Sequence, residues 1–419
     1  MNQLRSIAAA ITTVLGLCAW DSGALFAASS LSINPTVEAG YETGWHKASR
    51  SQRISRPFLL AGVKPEWGPM VFDLGLRVRK DYKPAPCGKS LSRCDDRTTL
   101  DIRSANATFN SDLMKITAGY FIESWGETFG VYPLDVVNPR DHGEVAFTEF
   151  EETKLAVLGL NSTVYAGPVK VQAIVVPKPA RADLPETVFD LTMRDEVSFE
   201  AGADMEYGGR ASTLLSGIDV SLFFYDHWNR MPVFANIREN FKNVLVHRAY
   251  TVKTYGASYS YATQAMVFRG DFALHQGQPV TTTTLESLVA GKLNTPVLTD
   301  QFQSILGVDY TTEGGLTTGV QYHLEVWKDQ VSEVMKNNNR HWVSTQVVKA
   351  ILDGAVEFKL FIFRGLDNND ILARPLVTWH PTEATSLSLE ADMVEGKGDG
   401  YLEPLREEDR LWLRGSYKL

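Results

Sequence analysis

The densest set of chemistry-bearing side chains lies between residues 122 and 152. Trp125-Gly126-Glu127 is followed by Asp135, Asn138-Pro139-Arg140-Asp141 and His142, and the same stretch carries Phe129, Tyr132 and several valines. Acids, a base and an imidazole this close together invite a catalytic reading. The spacing argues against one. Asp141-His142 and Asp226-His227 are adjacent pairs, and neighbours in extended chain point opposite ways. Ser124 and Ser216 lack the flanking glycines of a nucleophile elbow. No H-E-x-x-H or phosphate-binding loop pattern occurs. We therefore assign no catalytic residue, no metal and no cofactor. A long polar segment with its own apolar residues should instead fold inward. It would then narrow a lumen, with Arg140, Asp135, Asp141 and His142 as lining charges beside Trp125, Glu127 and Asn138. The alternative is a plug or anchor that never touches solute.

The elements around this segment read as strands. Phe72, Leu74, Leu76 and Val78 alternate with Asp73, Gly75, Arg77 and Arg79. Leu387, Leu389, Ala391 and Met393 alternate with Ser388, Glu390 and Asp392. Period two continues through most of the chain, in roughly 18 strands (16 is possible) of about 9–14 residues, the length a tilted membrane strand needs. Among them are 195–207, 211–226 and 244–260.

The connections sort into two kinds. Short turns are expected at Asn110-Ser111, Ala166-Gly167-Pro168, Gly208-Gly209, Glu313-Gly314-Gly315, Asp353-Gly354 and Pro381-Thr382-Glu383. Long polar loops are expected at 81–97, 122–152, 179–194, 227–243, 276–301, 329–339 and 396–408, with Leu285–Lys292 as a possible short helix. Short turns on one side and long loops on the other suit an all-β, antiparallel up-and-down transmembrane barrel with both termini periplasmic. The apolar face of the last strand (Leu411, Leu413, Gly415, Tyr417, Leu419) agrees.

Inward phases then predict lumen charges. The basic ones are Arg77, Arg79, Arg103, Lys115, Lys170, Arg269, Lys359, Arg410 and Arg414. The acidic ones are Glu196, Glu200, Asp204, Glu206, Asp219, Asp271, Glu325, Glu357, Glu390 and Asp392. Read in strand order, they form opposed walls and a transverse field that favours polar or zwitterionic solutes. The competing expectation is local pairing, as in Arg269 with Asp271 and Glu357 with Lys359.

The chain has 419 residues, 44% of them hydrophobic and 22% charged, with net charge −9. The apolar content excludes disorder. The acidic balance argues against nucleic acid as a partner. Past the N-terminus no apolar run reaches the length of a membrane helix. Arg5, the apolar stretch Ile7–Trp20, and Ser22-Gly23-Ala24 or Ala27-Ala28-Ser29 read as a signal peptide over 1–28, cleaved near 24–29. Residues 29–419 form the barrel. Leu17 before Cys18 argues against a lipoprotein site. Cys87 and Cys94 lie in a turn-rich, charged loop of an exported chain, which favours a disulfide.

The segment also resembles a known family. Trp125-Gly126-Glu127 followed by Asp135-Val136-Val137-Asn138-Pro139-Arg140-Asp141 is similar to the W-G-E…D-x-x-N-P-R-D signature of an uncharacterised Gram-negative outer-membrane porin-like family, related in style to the alginate-export porin. That resemblance implies an outer-membrane β-barrel with an inward loop, set among outer-membrane lipid and lipopolysaccharide. The expected function is a channel for solutes through a charged aqueous lumen. The rivals are an export or uptake component for lipid, polymer or other bulky compounds, and a sheath for a periplasmic partner. A barrel enzyme lacks its catalytic groups. A homo-oligomer is compatible with the apolar outer wall.

Overall fold

The computed structural model describes residues 32–46, 53–82, 97–141, 153–180, 187–188, 191–192, 197–199, 205–230, 233–239, 242–280, 296–328, 339–367, 370–396, 402 and 409–419. The expected signal peptide, Cys87, Cys94, His142, Glu196, Glu200 and Asp204 lie outside them.

Backbone groups facing lipid find no water, so a sheet that crosses a membrane must close on itself. This one does. A single 18-stranded sheet is built from β1 (Ser32–His46), β2 (Arg53–Trp67), β3 (Met70–Asp81), β4 (Arg97–Asn110), β5 (Met114–Phe121), β6 (Val157–Ala166), β7 (Val169–Val176), β11 (Glu206–Leu215), β12 (Ile218–Trp228), β15 (Thr251–Ala262), β16 (Met266–Val280), β17 (Val297–Thr311), β18 (Leu316–Trp327), β19 (Asn339–Ile351), β20 (Val356–Gly365), β21 (Ile371–Thr382), β22 (Thr385–Glu395) and β23 (Arg410–Lys418). The last strand pairs antiparallel with the first, from Glu38↔Lys418 to His46↔Arg410. The remaining elements belong to long connections: β8 (Thr187–Val188), β9 (Leu191–Thr192), β10 (Val197–Phe199), β13 (Val233–Glu239) and β14 (Lys242–Ala249). Tight turns such as Gly68-Pro69 and Gly167-Pro168 gather at the end where both described termini lie, and the long connections gather at the other.

The burial pattern is inverted relative to a water-soluble protein. Phe72, Phe358 and Leu389 are 44%, 43% and 47% exposed, whereas Asp271 and Asp392 are fully covered. An apolar outer wall around a polar interior is what lipid outside and water inside require. The expected outward and inward phases hold at Phe72, Leu74, Phe358, Leu389, Arg77 and Glu390.

Three strand assignments change, at 195–207, 211–226 and 244–260, although the number of barrel strands does not. Gly208-Gly209 is not a turn but lies inside β11. A Cβ at Gly208 would stand 2.6 Å from the Tyr225 ring, so this glycine makes a seat for an aromatic on β12. The turn falls at Ser216-Gly217, with φ of 50° and 85°. Positive φ at both central residues gives the mirror-image turn that matches strand twist. The strand expected over 195–207 therefore begins at Glu206, the one expected over 211–226 is divided by this turn between β11 and β12, and Phe199 lies in β10, outside the barrel sheet. The expected strand 244–260 is likewise two elements. β14 pairs with β13 as a ribbon in a long connection, and β15 enters the barrel wall. The Asn229 amide hydrogen donates to Tyr250 O (2.9 Å) and marks the break between them.

Leu389 sits mid-strand on the outer wall. Leu389→Arg is expected to destabilise the barrel by about 2–4 kcal/mol, measured by reversible denaturant unfolding in lipid vesicles.

Candidate functional site: the inward segment and the lumen beside it

Residues 122–141 leave β5 and run into the barrel. Their stem closes on the chain that re-enters the wall. Asp141 N donates to Thr153 O (2.7 Å) and Leu155 N to Pro139 O (2.8 Å). Asn138 fastens the stem from within. Its Oδ1 accepts from Glu123 N (2.8 Å), and its Nδ2 donates to Phe121 O (3.1 Å) and Leu155 O (2.8 Å). A side-chain amide supplies two N–H donors and a carbonyl acceptor on one planar group, which these three bonds use, and Asn138 is 2% exposed.

Charged groups grip the same stem. Asp135 accepts from Arg140 Nη2 (2.6 Å) and Lys154 Nζ (2.9 Å). Arg79 Nη2 donates to Asp141 Oδ2 (2.8 Å). Arg103, at an irregularity in the β3–β4 register, donates to Lys154 O (2.5 Å). Arg230, which the sequence did not point to, reaches Val136 O (2.5 Å) and Val137 O (2.7 Å) while holding Glu206 at 2.9 and 3.0 Å.

The middle of the segment is apolar and packs on the wall. Trp125, Leu134, Val136 and Val137 share a core with Ile174, Val176, Phe223, Tyr225 and Ala273. The Trp125 indole N–H donates to Gln172 Oε1 (3.0 Å). Glycines on the wall make the sockets. A Cβ at Gly256 would collide with the Leu134 side chain, and one at Gly319 would stand 2.9 Å from the Phe129 ring.

The tip is held by Asp271. Its carboxylate accepts from Glu127 N (3.0 Å), Thr128 N (3.1 Å) and Thr128 Oγ1 (2.7 Å). Arg269 Nη1 donates to Glu127 O (2.8 Å). The Gln321 amide, oriented to satisfy both groups, donates to Phe129 O (2.8 Å) and accepts from Phe129 N (3.0 Å). Phe129 then meets Phe361 edge-on at 6.5 Å. The segment thus spans the interior from β5 and β6 to β16, β18 and β20. Glu127 is half-buried. Burial, then the neighbouring Asp271, raises its carboxyl pKa above the usual range, opposed by Arg269.

These contacts reassign several residues expected to line a lumen. Trp125, Asp135 and Asn138 are buried in the footing of the segment. Arg140 and Asp141 face the interior but are held by Asp135 and Arg79. Arg77 is held by Asp101, with Nη2 at 2.8 Å. Arg374 lies 2.7 Å from Asp392 and 3.5 Å from Glu390. Lys115 is exposed near the short-turn end of β5. The expected Arg269–Asp271 pair is replaced by Arg269 with Asp309. Arg269 faces Gly307, so its long side chain reaches the diagonal neighbour Asp309 on β17, while the Asp271 carboxylate is taken by Glu127 and Thr128. The expected opposed walls give way to local pairing wherever these partners meet.

The segment leaves one side of the lumen uncovered. There, β20–β23 with β1 and β2 line a cavity of about 510 Å³. Glu42, Arg56, Glu357, Lys359, Trp412 and Arg414 are among its walls.

No family model matches this sequence, and no curated protein matches it. Solved structures do. OccAB1 of Acinetobacter baumannii has 9% identity and a TM-score of 0.56, covering 93% of this chain and 96% of that one. OccD3 (OpdP) of Pseudomonas aeruginosa has 9% identity and a TM-score of 0.54 over 94% and 93%. OccK5 (OpdH) of the same species has 11% identity and a TM-score of 0.53 over 93% and 98%. The fold is that of Gram-negative outer-membrane porins. At this identity the likeness concerns the fold.

Asn138→Ala leaves buried carbonyls and an amide without partners. It is expected to cost at least about 3 kcal/mol, at about 1–3 kcal/mol for each of the three groups. Denaturant unfolding measures the loss, and faster hydrogen exchange across 122–141 locates it.

Proposed function

We propose that this chain is an outer-membrane channel whose lumen is narrowed by residues 122–141. The observation that carries the reading is the docking of Glu127–Phe129 on Asp271 and Gln321 across the barrel interior, beside a hydrophilic cavity. A packed, fully anchored segment is the rigid element that a size filter requires. The charged cavity wall suits polar solutes. In this reading the W-G-E…D-x-x-N-P-R-D residues serve as the footing of the filter. Trp125 packs it, Asn138 and Asp135 tie its stem, and Glu127 is its solute-facing charge. Residues 1–28 direct export and are removed, and Cys87 with Cys94 closes an extracellular loop. Outer-membrane lipid and lipopolysaccharide surround the apolar wall, through which copies of the chain associate.

Single-channel recording in planar bilayers tests the reading. The purified protein should give ohmic steps. Asp271→Ala frees the tip of the segment and should raise the unit conductance. A silent wild type, or an unchanged conductance in a folded Asp271→Ala barrel, would overturn it.

The pH dependence follows from Glu127. A raised carboxyl pKa means that its charge is lost at a higher pH than for an ordinary glutamate. Cation selectivity should therefore fall as pH drops from about 7 toward about 4, beginning above the usual carboxylate range. Reversal potentials in a salt gradient measure it, and Glu127→Gln should remove the earliest part of the change.

A further inference from the structure

The wall that the segment leaves bare carries two carboxylates that the protein itself does not use. Among the described residues, Glu38 and Glu357 line the cavity without a hydrogen-bond or ion-pair partner. The other two acids of the cavity are taken. Glu42 lies 3.5 Å from both Arg56 and Arg414, and Glu390 lies 3.5 Å from Arg374. The cations are taken as well. Arg56 also holds Asp81, and the Arg414 guanidinium lies 4.8 Å from the centroid of the Phe58 ring. Lys359, the next inward residue of β20 after Glu357, makes its contact elsewhere. No ion pair joins Glu38 to Lys418, its register partner on β23, and an exposed pair at that place would be weak.

Hydroxyls run between the two carboxylates. Glu357, Thr378 and Ser388 share one row across β20, β21 and β22. Ser386, the next inward residue of β22, faces Ser416 on β23. Ser416 in turn faces Gly40 on β1, and Glu38 is the next inward residue toward the short turns. Thr378 and Ser388 are hydrogen-bonded at 3.1 Å, and Ser386 and Ser416 at 2.8 Å. A pair of hydroxyls brings two protons and four lone pairs. The bond within the pair uses one of each, which leaves more lone pairs than protons for a solute. The track is therefore rich in acceptors, with an acceptor-only carboxylate at each end.

Both ends lie at the short-turn mouth of the barrel. Glu357 is the second residue of β20, and Glu38 faces the last residue of β23. Four strand steps separate β20 from β1, about 19 Å along the wall at about 4.8 Å per step. A single metal ion or a monoamine reaches only one of the carboxylates. An anion meets unmatched negative charge and surplus lone pairs. A long solute with a positive charge at each end and N–H groups between them meets the whole track. The cavity volume, about 510 Å³, falls within the range of small-molecule sites.

We infer that this wall is a binding subsite for an elongated polyamine. Glu38 and Glu357 receive its terminal ammonium groups, and Thr378, Ser388, Ser386 and Ser416 accept from the N–H groups between. The inference rests on the channel reading above and deepens it by naming a solute class.

The test is current blockade of the full-length channel in a planar bilayer, with spermine as the probe and propylamine as the singly charged control. Each variant is compared with its own amine-free current. Spermine should block reversibly, and at lower concentration than propylamine. Its half-blocking concentration should rise about three-fold in Glu38→Gln and in Glu357→Gln, and about ten-fold in Glu38→Gln/Glu357→Gln, as expected for two separate half-exposed charges that add. Glutamine keeps the side-chain shape, and neither carboxylate holds another residue, so these variants should fold. Ser386→Ala/Ser416→Ala leaves both carboxylates in place and should also weaken the block. A conducting channel on which spermine acts no better than propylamine overturns the polyamine subsite and leaves the channel reading standing. So does a block that Glu127→Gln relieves and Glu38→Gln/Glu357→Gln does not, because it would sit on the inward segment. Relief in only one of the two single variants overturns the two-ended site. A protein without conductance overturns both readings.

Discussion

Every backbone amide and carbonyl in the wall must find a partner within the sheet, because the lipid offers none. The rest of the structure depends on that constraint. It forces β1 to pair with β23, and with closure comes an interior the polypeptide must fill or leave wet. Lumen charges are also joined across the closing seam. Arg414, Glu42, Arg56, Asp81, Arg79 and Asp141 form a chain of ion pairs from β23 through β1, β2 and β3 to the stem of the inward segment. The last link, Arg79 to Asp141, ties the segment to the seam at 2.8 Å. Seam and segment are therefore mechanically one assembly, held by charges that alternate in sign and need no external ions.

Inside this frame the segment is not a strand and has no ladder to satisfy its backbone. Side chains supply the missing partners. Asn138 serves the stem, Arg230 takes two consecutive carbonyls, Asp271 takes two consecutive amides, and Gln321 closes on Phe129. Each is a buried polar group paired with a buried polar group, which is the arrangement under which burial does not destabilise. The apolar face of the segment lies on the β7–β16 wall, and its glycine sockets let Leu134 and Phe129 approach the sheet backbone.

The barrel was largely legible in the sequence because lipid outside and water inside impose a strict period of two on every strand. The alternation of Leu387, Leu389 and Met393 with Ser388, Glu390 and Asp392 needs no tertiary information. The misplaced elements share a cause. Ribbons in long connections, such as β13 with β14, carry the same alternation as wall strands, so 244–260 reads as one strand although Tyr250 divides it. Glycine is equally ambiguous. It permits a turn, and it also permits an aromatic to lie on a strand, and Gly208 does the second. The motif at 125–141 announced that something specific happens there. Its partners, Arg230 and Asp271, lie about a hundred residues or more away in sequence, and no spacing could reveal them.

The same distance explains why the motif charges looked like a filter and act as a foundation. A carboxylate in an open lumen would be exposed and screened. Asp135 is instead covered, and it holds two cations within 2.9 Å. Such a group contributes little to the field felt by a solute, because its charge is cancelled at contact distance. In the proposed channel, selectivity would come from groups the footing does not consume: Glu127 at the tip of the segment, and the wall of β20–β23 that the segment leaves bare. Anchoring on β16 and β18 rather than on the seam side decides which wall that is. The placement of Asp271 and Gly319 thus determines which wall the segment covers and which it leaves bare.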